Sequence, residues 1–357
     1  MPSLASFDRT TLGAWLTERG ISPSHAGRVL RAYYRGSGDF DAGSIGICHP
    51  LRDAIGEGCF SWVTSERDRV VSRDGTTKLL LGLERGGAVE TVMMPSYRDG
   101  EAWCCVSSQV GCAMGCDFCA STRGGLERNL EVDEIVEQYI RAGAAAAAQG
   151  RRLRRLVFMG IGEPLHNVDN VLTAIEHIAH QGLGNLGWTR ITVSTVGIVH
   201  GIERLAAAKY PPFLALSLHA PDDETRRKIV PTGKRYDVAT ILGAARRFQE
   251  RTGRIVTLEY CLLAGVNDSD AQAHLLADRL RDFRAHVNVI PYNATGPGIS
   301  GVVYMRPTPG RVQHFLDVLR ARGVNAHARD TRGDDVAAAC GQLRDAKRAV
   351  PAQPSAK

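Results

Sequence analysis

A chain of 357 residues, 44% hydrophobic and 23% charged, can bury a large core without disulfide staples. Its 44 Lys and Arg against 38 Asp and Glu leave a net charge of +6, compatible with an anionic partner such as RNA but not by itself diagnostic of one. No run approaches the ~18 apolar residues of a membrane span, no signal-peptide pattern opens the chain, and the nine cysteines cluster instead of spreading as a disulfide framework does. The expectation is a soluble cytoplasmic protein in a reducing compartment, with no membrane association.

The first 60 residues read as helical. Leu12, Trp15 and Leu16 recur on one face, and Ala26, Val29, Leu30, Tyr33 and Tyr34 on another. Arg28, Arg31 and Arg35 on the second helix offer either an RNA-facing surface or a solvated face. Residues 61–100 are β-rich, with short apolar runs at 76–82 and 88–94 bounded by Gly and Pro. From residue 101 onward short β-like runs alternate with amphipathic helical stretches, the pattern of a parallel sheet with crossover helices. Strands are expected at 102–106, 155–159, 191–194, 213–218, 256–262 and 287–291, with helices at 132–148, 168–179, 202–208, 239–251 and 271–282. Six strands predict an α/β fold, a partial (β/α)6 barrel spanning 101–345 whose chemistry sits at the carboxyl ends of its strands. Residues 346–357 read as a disordered tail.

One loop after the first barrel strand stands out: Cys112-Ala-Met-Gly-Cys116-Asp-Phe-Cys119, three thiols spaced Cys-x₃-Cys-x₂-Cys. Thiolate is the soft ligand of iron–sulfur clusters, and a four-iron cluster held by three cysteines keeps one iron open to a ligand. The competing readings are a structural zinc knuckle and three unrelated packed thiols; zinc sites favour paired motifs repeated at a distance. The other strands end in Met159-Gly-Ile-Gly162-Glu163-Pro164, Ser194-Thr-Val-Gly197, Ser217-Leu218-His219 and Pro291-Tyr-Asn293. Each alone would be a turn or a cap, but together they surround the cysteine loop. Cys105 stands seven residues before the triplet, and Cys340 lies in the run Thr331-Arg-Gly-Asp-Asp-Val-Ala-Ala-Ala-Cys340-Gly-Gln, whose Gly and Asp content reads as a loop. Cys48, Cys59, Cys104 and Cys261 read as packing residues.

These motifs resemble the radical S-adenosylmethionine enzymes, and among them the methyltransferases that modify adenine in large-subunit ribosomal RNA. The resemblance extends from the N-terminal helices to Leu343, carried by Cys105-Val-Ser-Ser-Gln-Val-Gly-Cys112, Phe158-Met-Gly-Ile-Gly-Glu-Pro, Leu216-Ser-Leu-His-Ala-Pro and Thr331-Arg-Gly-Asp-Asp. It implies that Cys112, Cys116 and Cys119 hold one 4Fe-4S cluster. It implies that Gly162, Glu163, Ser194, Ser217, Leu218, His219 and Asn293 contact S-adenosylmethionine, two molecules of which serve each methylation. Cys340 matches the cysteine methylated on sulfur, from which a 5′-deoxyadenosyl radical then takes hydrogen. Cys105 matches the thiol that resolves the protein–RNA adduct through a disulfide with Cys340, and Glu90 matches the proton-accepting carboxylate.

The chain departs from the family in places. Ser194-Thr-Val-Gly197 is closer to the branch methylating adenine carbon 8, Gly162-Glu-Pro164 to the carbon 2 branch, and Pro231-Thr-Gly-Lys lacks the usual Pro-Ile-Asn. The resulting expectation is carbon 2 methylation of an adenine in 23S rRNA, and of tRNA as well, by a monomer that draws electrons from a donor such as flavodoxin or ferredoxin. The rival readings are a radical enzyme acting on a non-RNA substrate and a non-catalytic iron–sulfur RNA-binding protein.

Overall fold

The computed structural model describes residues 3–36, 49–59, 62–231 and 235–343; Cys48, the Thr-Gly-Lys after Pro231 and the expected tail lie outside them. Three helices come first: α1 (Arg9–Thr17), α2 (Ala26–Arg35) and α3 (His49–Gly58). Leu12, Leu16, Val29, Leu30 and Tyr33 are fully buried, as the helical spacing requires, while Arg28, Arg31 and Arg35 face solvent.

Strands β1 (Thr64–Val71), β2 (Thr77–Leu83) and β3 (Ala88–Pro95) form an antiparallel meander, and β3 pairs antiparallel with β4 (Glu101–Cys105). The β-rich segment is therefore continuous with the barrel sheet. Next, β5 (Gln109–Gly111) and β6 (Leu126–Asn129) pair as a separate two-stranded sheet that brackets the cysteine loop, and α4 (Val132–Ala148) follows. The remaining order is β7 (Arg152–Phe158), α5 (Val168–Ala179), β8 (Ile191–Thr195), α6 (Val199–Ala207), β9 (Phe213–Ser217), α7 (Asp223–Ile229), α8 (Val238–Thr252), β10 (Val256–Leu262), α9 (Asp270–Arg279), β11 (Ala285–Pro291), α10 (Pro309–Ala321) and β12 (Asn325–Ala328). Every strand but β5 and β6 belongs to one ten-stranded sheet, ordered β1-β2-β3-β4-β7-β8-β9-β10-β11-β12. Strands β4 and β7 to β12 run parallel. The six expected barrel strands are thus present, extended by β12 as a seventh. Among the described residues no helix is long and apolar enough to cross a membrane.

Helix α4 packs against both the N-terminal helices and the sheet through a row of buried polar side chains. Asp133, Glu134, Glu137 and Gln138 recur on one helical side and are all at most 1% exposed. Asp133 takes a bidentate pair from Arg85 at 2.9 and 2.8 Å, and Glu134 takes one from Arg128 at 2.8 and 2.7 Å. Glu137 instead accepts from Ser3 Oγ (2.8 Å), Tyr33 OH (3.0 Å), Val63 N (3.0 Å), Thr64 N (2.8 Å) and Thr64 Oγ1 (2.7 Å). Burial raises its pKa, and those donors pull it back.

Removing that acceptor would take away the buried carboxylate to which two main-chain N–H groups and three hydroxyls donate. Glu137→Ala should therefore lower the unfolding free energy by roughly 3–5 kcal/mol in urea titrations and expose the N-terminal helices to protease first. A loss below about 1 kcal/mol would contradict this account.

Candidate active site

The cysteine loop leaves β5 at Gly111, whose φ of 73° and position 2.0 Å from the Gly125 oxygen for any added Cβ admit only glycine. The loop then closes on itself. Cys112 N–H donates to Gly125 O at 2.8 Å, Gly115 N–H to Thr122 Oγ1 at 2.8 Å and Cys119 N–H to Cys116 O at 3.0 Å. Asp117 fastens it outward, accepting from Ser300 N at 2.8 Å and Tyr304 OH at 2.7 Å. Cys112, Cys116 and Cys119 all face one cavity at the carboxyl ends of the parallel strands. Burial pushes their thiols up, Cys112 to about 12, and each thiolate would further repel the others.

Gly162, Glu163, Ser194, Ser217, His219, Asn293 and Cys340 line the same cavity. Glu163 is 2% exposed; its Oε1 accepts from Leu165 N at 3.0 Å and its Oε2 from Val196 N at 2.9 Å. Burial nevertheless raises its pKa to about 7. A carboxylate oxygen offers two lone pairs, so both oxygens keep capacity for a further donor such as an amine. The Ser194 and Ser217 hydroxyls sit 3.1 Å apart. His219 adopts a left-handed φ of 61°, and its Nδ1 accepts from Cys261 N at 3.0 Å, which puts the proton on Nε2. Burial first, then the charge of Arg226, lowers its pKa to about 3, so the ring is a neutral donor. Leu218 differs from its neighbours. It is fully buried and absent from the lining, and it contributes through its main chain, N–H to Glu259 O (3.1 Å) and C=O from Arg226 Nε (3.1 Å).

The loop carrying Cys340 crosses to the cysteine loop: Ala120 N–H donates to Gly341 O and Ser121 Oγ to Leu343 O, both at 2.8 Å. Cys340 is half-buried, and its carbonyl accepts from Asn293 Nδ2 at 3.4 Å. Cys105 lies behind it, 8% exposed and packed with Ala338 and Leu343 of that loop. Its thiol is pushed up to about 12 by burial and by the neighbouring Cys340. Both are free thiols here. Glu90 does not line the cavity; it is 8% exposed on β3 and pairs at 3.0 Å with Lys78, whose Nζ also donates to Ala337 O at 3.1 Å.

The Radical SAM superfamily model matches residues 106–277. The chain is 50% identical over 347 residues to a probable dual-specificity RNA methyltransferase RlmN 1 of Opitutus terrae, covering 96% of this chain and 97% of that protein. This chain belongs to the radical SAM RNA methyltransferase family. A ribosomal RNA large subunit methyltransferase N of Nitrosopumilus maritimus is 45% identical, with 78% of this chain and 80% of that one covered. A radical SAM methyltransferase structure from Sphaerobacter thermophilus superposes with a TM-score of 0.92 at 38% identity, covering 96% and 99% of the two chains.

Membership in this family implies a 4Fe-4S cluster and S-adenosylmethionine. The residues fit that group. Three soft donors share one cavity, and their mutual repulsion in the deprotonated state is what a cationic iron core relieves. Among the described residues no three candidate ligands converge closely enough to chelate one ion, and a cluster asks for no such convergence, since each thiolate takes a different iron.

The lining also contains residues that sequence reading did not single out. Cys261, read as packing, faces the cavity near Cys119 and Cys340. Glu259 is 4% exposed and joined to Arg329 at 3.5 Å, and the Arg329 guanidinium also reaches Met159 Sδ at 3.5 Å. The available signal was position for Cys261 alone, one residue from the carboxyl end of β10, where barrel chemistry collects; Glu259 sits mid-strand.

Glu163 also makes stability depend on pH. Its pKa is about 7 in the fold against an ordinary 4.5, so it binds its proton more tightly when folded. The stability it contributes is complete below pH 4.5 and is lost as pH rises through 7. In protein without its cluster, urea unfolding between about pH 4 and about pH 8 should show that loss, and Glu163→Gln should flatten it. An unchanged slope in the variant would assign the titration to another group.

Proposed function

We propose that this protein methylates carbon 2 of an adenine in 23S rRNA, and of tRNA as well, by way of a methylated Cys340. The observation that carries this reading is the pair of hydrogen bonds from Ala120 and Ser121, just after Cys119, to the Cys340 loop, with Cys105 packed against that loop. The relatives named as RNA methyltransferases support it over a non-RNA substrate or a non-catalytic protein.

When bound, the cluster and two molecules of S-adenosylmethionine supply a methyl group and a reductively generated radical, chemistry that side chains lack. In this reading Cys112, Cys116 and Cys119 hold the cluster, while Gly162, Glu163, Ser194, Ser217, His219, Asn293 and the main chain of Leu218 hold the cofactor. Cys340 accepts the methyl group on sulfur, that methyl gives one hydrogen atom to the cofactor-derived radical, and its carbon then bonds to the adenine ring, the one surplus electron of the adduct being one the cluster would take back. Glu90 takes the displaced ring proton. The Cys105 thiolate then attacks the Cys340 sulfur, which breaks the bond from that sulfur to carbon as the Cys105–Cys340 disulfide forms; the electron pair of the broken bond stays with the released carbon, which takes up a proton to become the methyl group. Lys78 joins Glu90 to the Ala337 carbonyl, coupling the proposed base to the loop that bears Cys340. Residues 1–60, with exposed Arg28, Arg31 and Arg35, serve as an RNA-facing accessory unit. The protein works in the cytoplasm as a monomer and takes electrons from a flavodoxin- or ferredoxin-type donor.

Reconstituted protein incubated with reductant, S-adenosylmethionine and 23S rRNA should yield 2-methyladenosine by mass spectrometry. A product methylated at carbon 8, or none with rRNA or tRNA, would refute this assignment. Cys340→Ala should abolish product at least a hundredfold, on the order of removing a covalent catalyst. Cys105→Ala should accumulate a protein–RNA adduct on denaturing gels; free, active protein would remove Cys105 from the resolving role.

A further inference from the structure

Arg226 is the bulkiest fully buried side chain among the described residues, 1% exposed, on α7 one turn before the helix ends. Its Nε donates to Leu218 O at 3.1 Å and its Nη2 to Val196 O at 2.5 Å, main-chain carbonyls just beyond β9 and β8. Neither acceptor carries a formal charge. Arg226 makes no ion pair among the described residues, and the groups whose negative forms would act on it are Cys116 first and then Asp223. The Asp223 Oδ1 is already engaged, accepting from Val238 N at 2.8 Å. The helix that carries Arg226 touches the cysteine loop directly, Asp117 N–H donating to Ile229 O at 2.9 Å.

A guanidinium cannot shed its proton, so burying it without an anion is strongly unfavourable. The fold nevertheless buries this one beside a ligand cysteine. Three thiolates leave an iron–sulfur cluster anionic, and the single electron that activates it adds one more negative charge. A fixed positive charge alongside favours the more negative, reduced state, and net charge near a cluster is among the determinants of its potential. We propose that Arg226 is the buried counter-charge of the cluster and holds its reduction potential within reach of a low-potential one-electron donor. It does so from behind the cavity, whose lining does not include it, and is therefore a positioning and tuning residue that leaves the cofactor untouched. Its two hydrogen bonds fix the charge in place and tie the ends of β8 and β9 together. This inference rests on the cluster being held by Cys112, Cys116 and Cys119.

The test compares reconstituted wild type, Arg226→Lys and Arg226→Gln in redox titrations with dithionite, following the reduced cluster by electron paramagnetic resonance. Arg226→Gln should lose at least about tenfold in the equilibrium constant for reduction, a midpoint about 59 mV more negative, while Arg226→Lys stays near wild type. If Arg226→Gln cannot hold a cluster, Arg226→Lys must still do so, because it retains the charge. The inference is overturned if the two variants behave alike, either both at the wild-type potential or both unable to bind iron and sulfide. A wild type that takes up no cluster would sink the functional reading itself, whereas a loaded wild type with unshifted variants sinks this inference alone.

Discussion

The buried polar row of α4 is the constraint on which the other parts converge. An α-helix against a sheet ordinarily buries an apolar stripe, yet here Asp133, Glu134, Glu137 and Gln138 are turned inward. Each is satisfied by a different element: Arg85 after β2, Arg128 on β6, the N-terminal segments and β1 through Glu137, and β3 through Thr91 Oγ1 to Gln138 Oε1 at 2.8 Å. Hydrogen bonds are directional and apolar contacts are not, so this row fixes position where oil-like packing would only fix proximity. Gln138 also accepts from Ser107 N at 2.8 Å, and Ser107 Oγ accepts from Ile161 N at 3.0 Å. The same helix thus sets the segment entering the cysteine loop and the glycine turn before Glu163.

That framework explains why an antiparallel meander is fused to a parallel barrel sheet. The loop after β12 must return over the open ends of the strands, and it is fastened from two sides. Asp335 accepts from Ser72 Oγ at 2.5 Å, Lys78 donates to Ala337 O at 3.1 Å, and Gly333 N donates to Asp74 Oδ2 at 3.2 Å, all on the meander. The cysteine loop supplies the other bonds, through Ala120 and Ser121. The meander is therefore the ledge on which the Cys340 loop rests, and β12 is the strand that delivers the loop to it.

Much of this was legible in the sequence where burial is periodic. Helices at 132–148 and 168–179 were readable to the residue, because their apolar spacing and the glycines and prolines around them agree. Strand β12 was not, since in Asn325-Ala-His-Ala only Ala326 is buried and an edge strand gives no alternation to read. The same holds for β1, whose Glu66-Arg-Asp-Arg69 is exposed throughout and guards the other edge of the sheet. Arg226 was invisible for a different reason. In Asp222-Asp-Glu-Thr-Arg-Arg-Lys it reads as one charge among many on a surface helix, and only the fold reveals that its neighbour Arg227 is exposed while it is not. The convergence of the cysteine triplet was legible because its spacing keeps all three thiols on one short loop; Glu259 and Arg329, 70 residues apart in the chain, meet only because β11 pairs with both β10 and β12.

The two thiols at the centre of the proposed reaction are arranged so that one is held back until the other has reacted. Cys340 is half-buried at the cavity, whereas Cys105 sits behind its loop with a thiol pushed up to about 12. After burial, the next cause of that rise is the repulsion that a Cys340 thiolate would exert; the positive charge of Arg329 and a hydrogen bond from Met159 N–H oppose it. Cys340 in turn is the leading influence on Arg329, so the two thiols share one cation. A Cys340 sulfur bonded to carbon carries no charge. Its repulsion of Cys105 then vanishes, and Arg329 is left to act on Cys105, so both changes favour the Cys105 thiolate. The thiolate is the attacking form. In the proposed reaction the Cys105 thiolate is therefore favoured from the methylation of Cys340 onward, so that it is ready when the adduct forms, and this follows from three side chains sharing one pocket of charge.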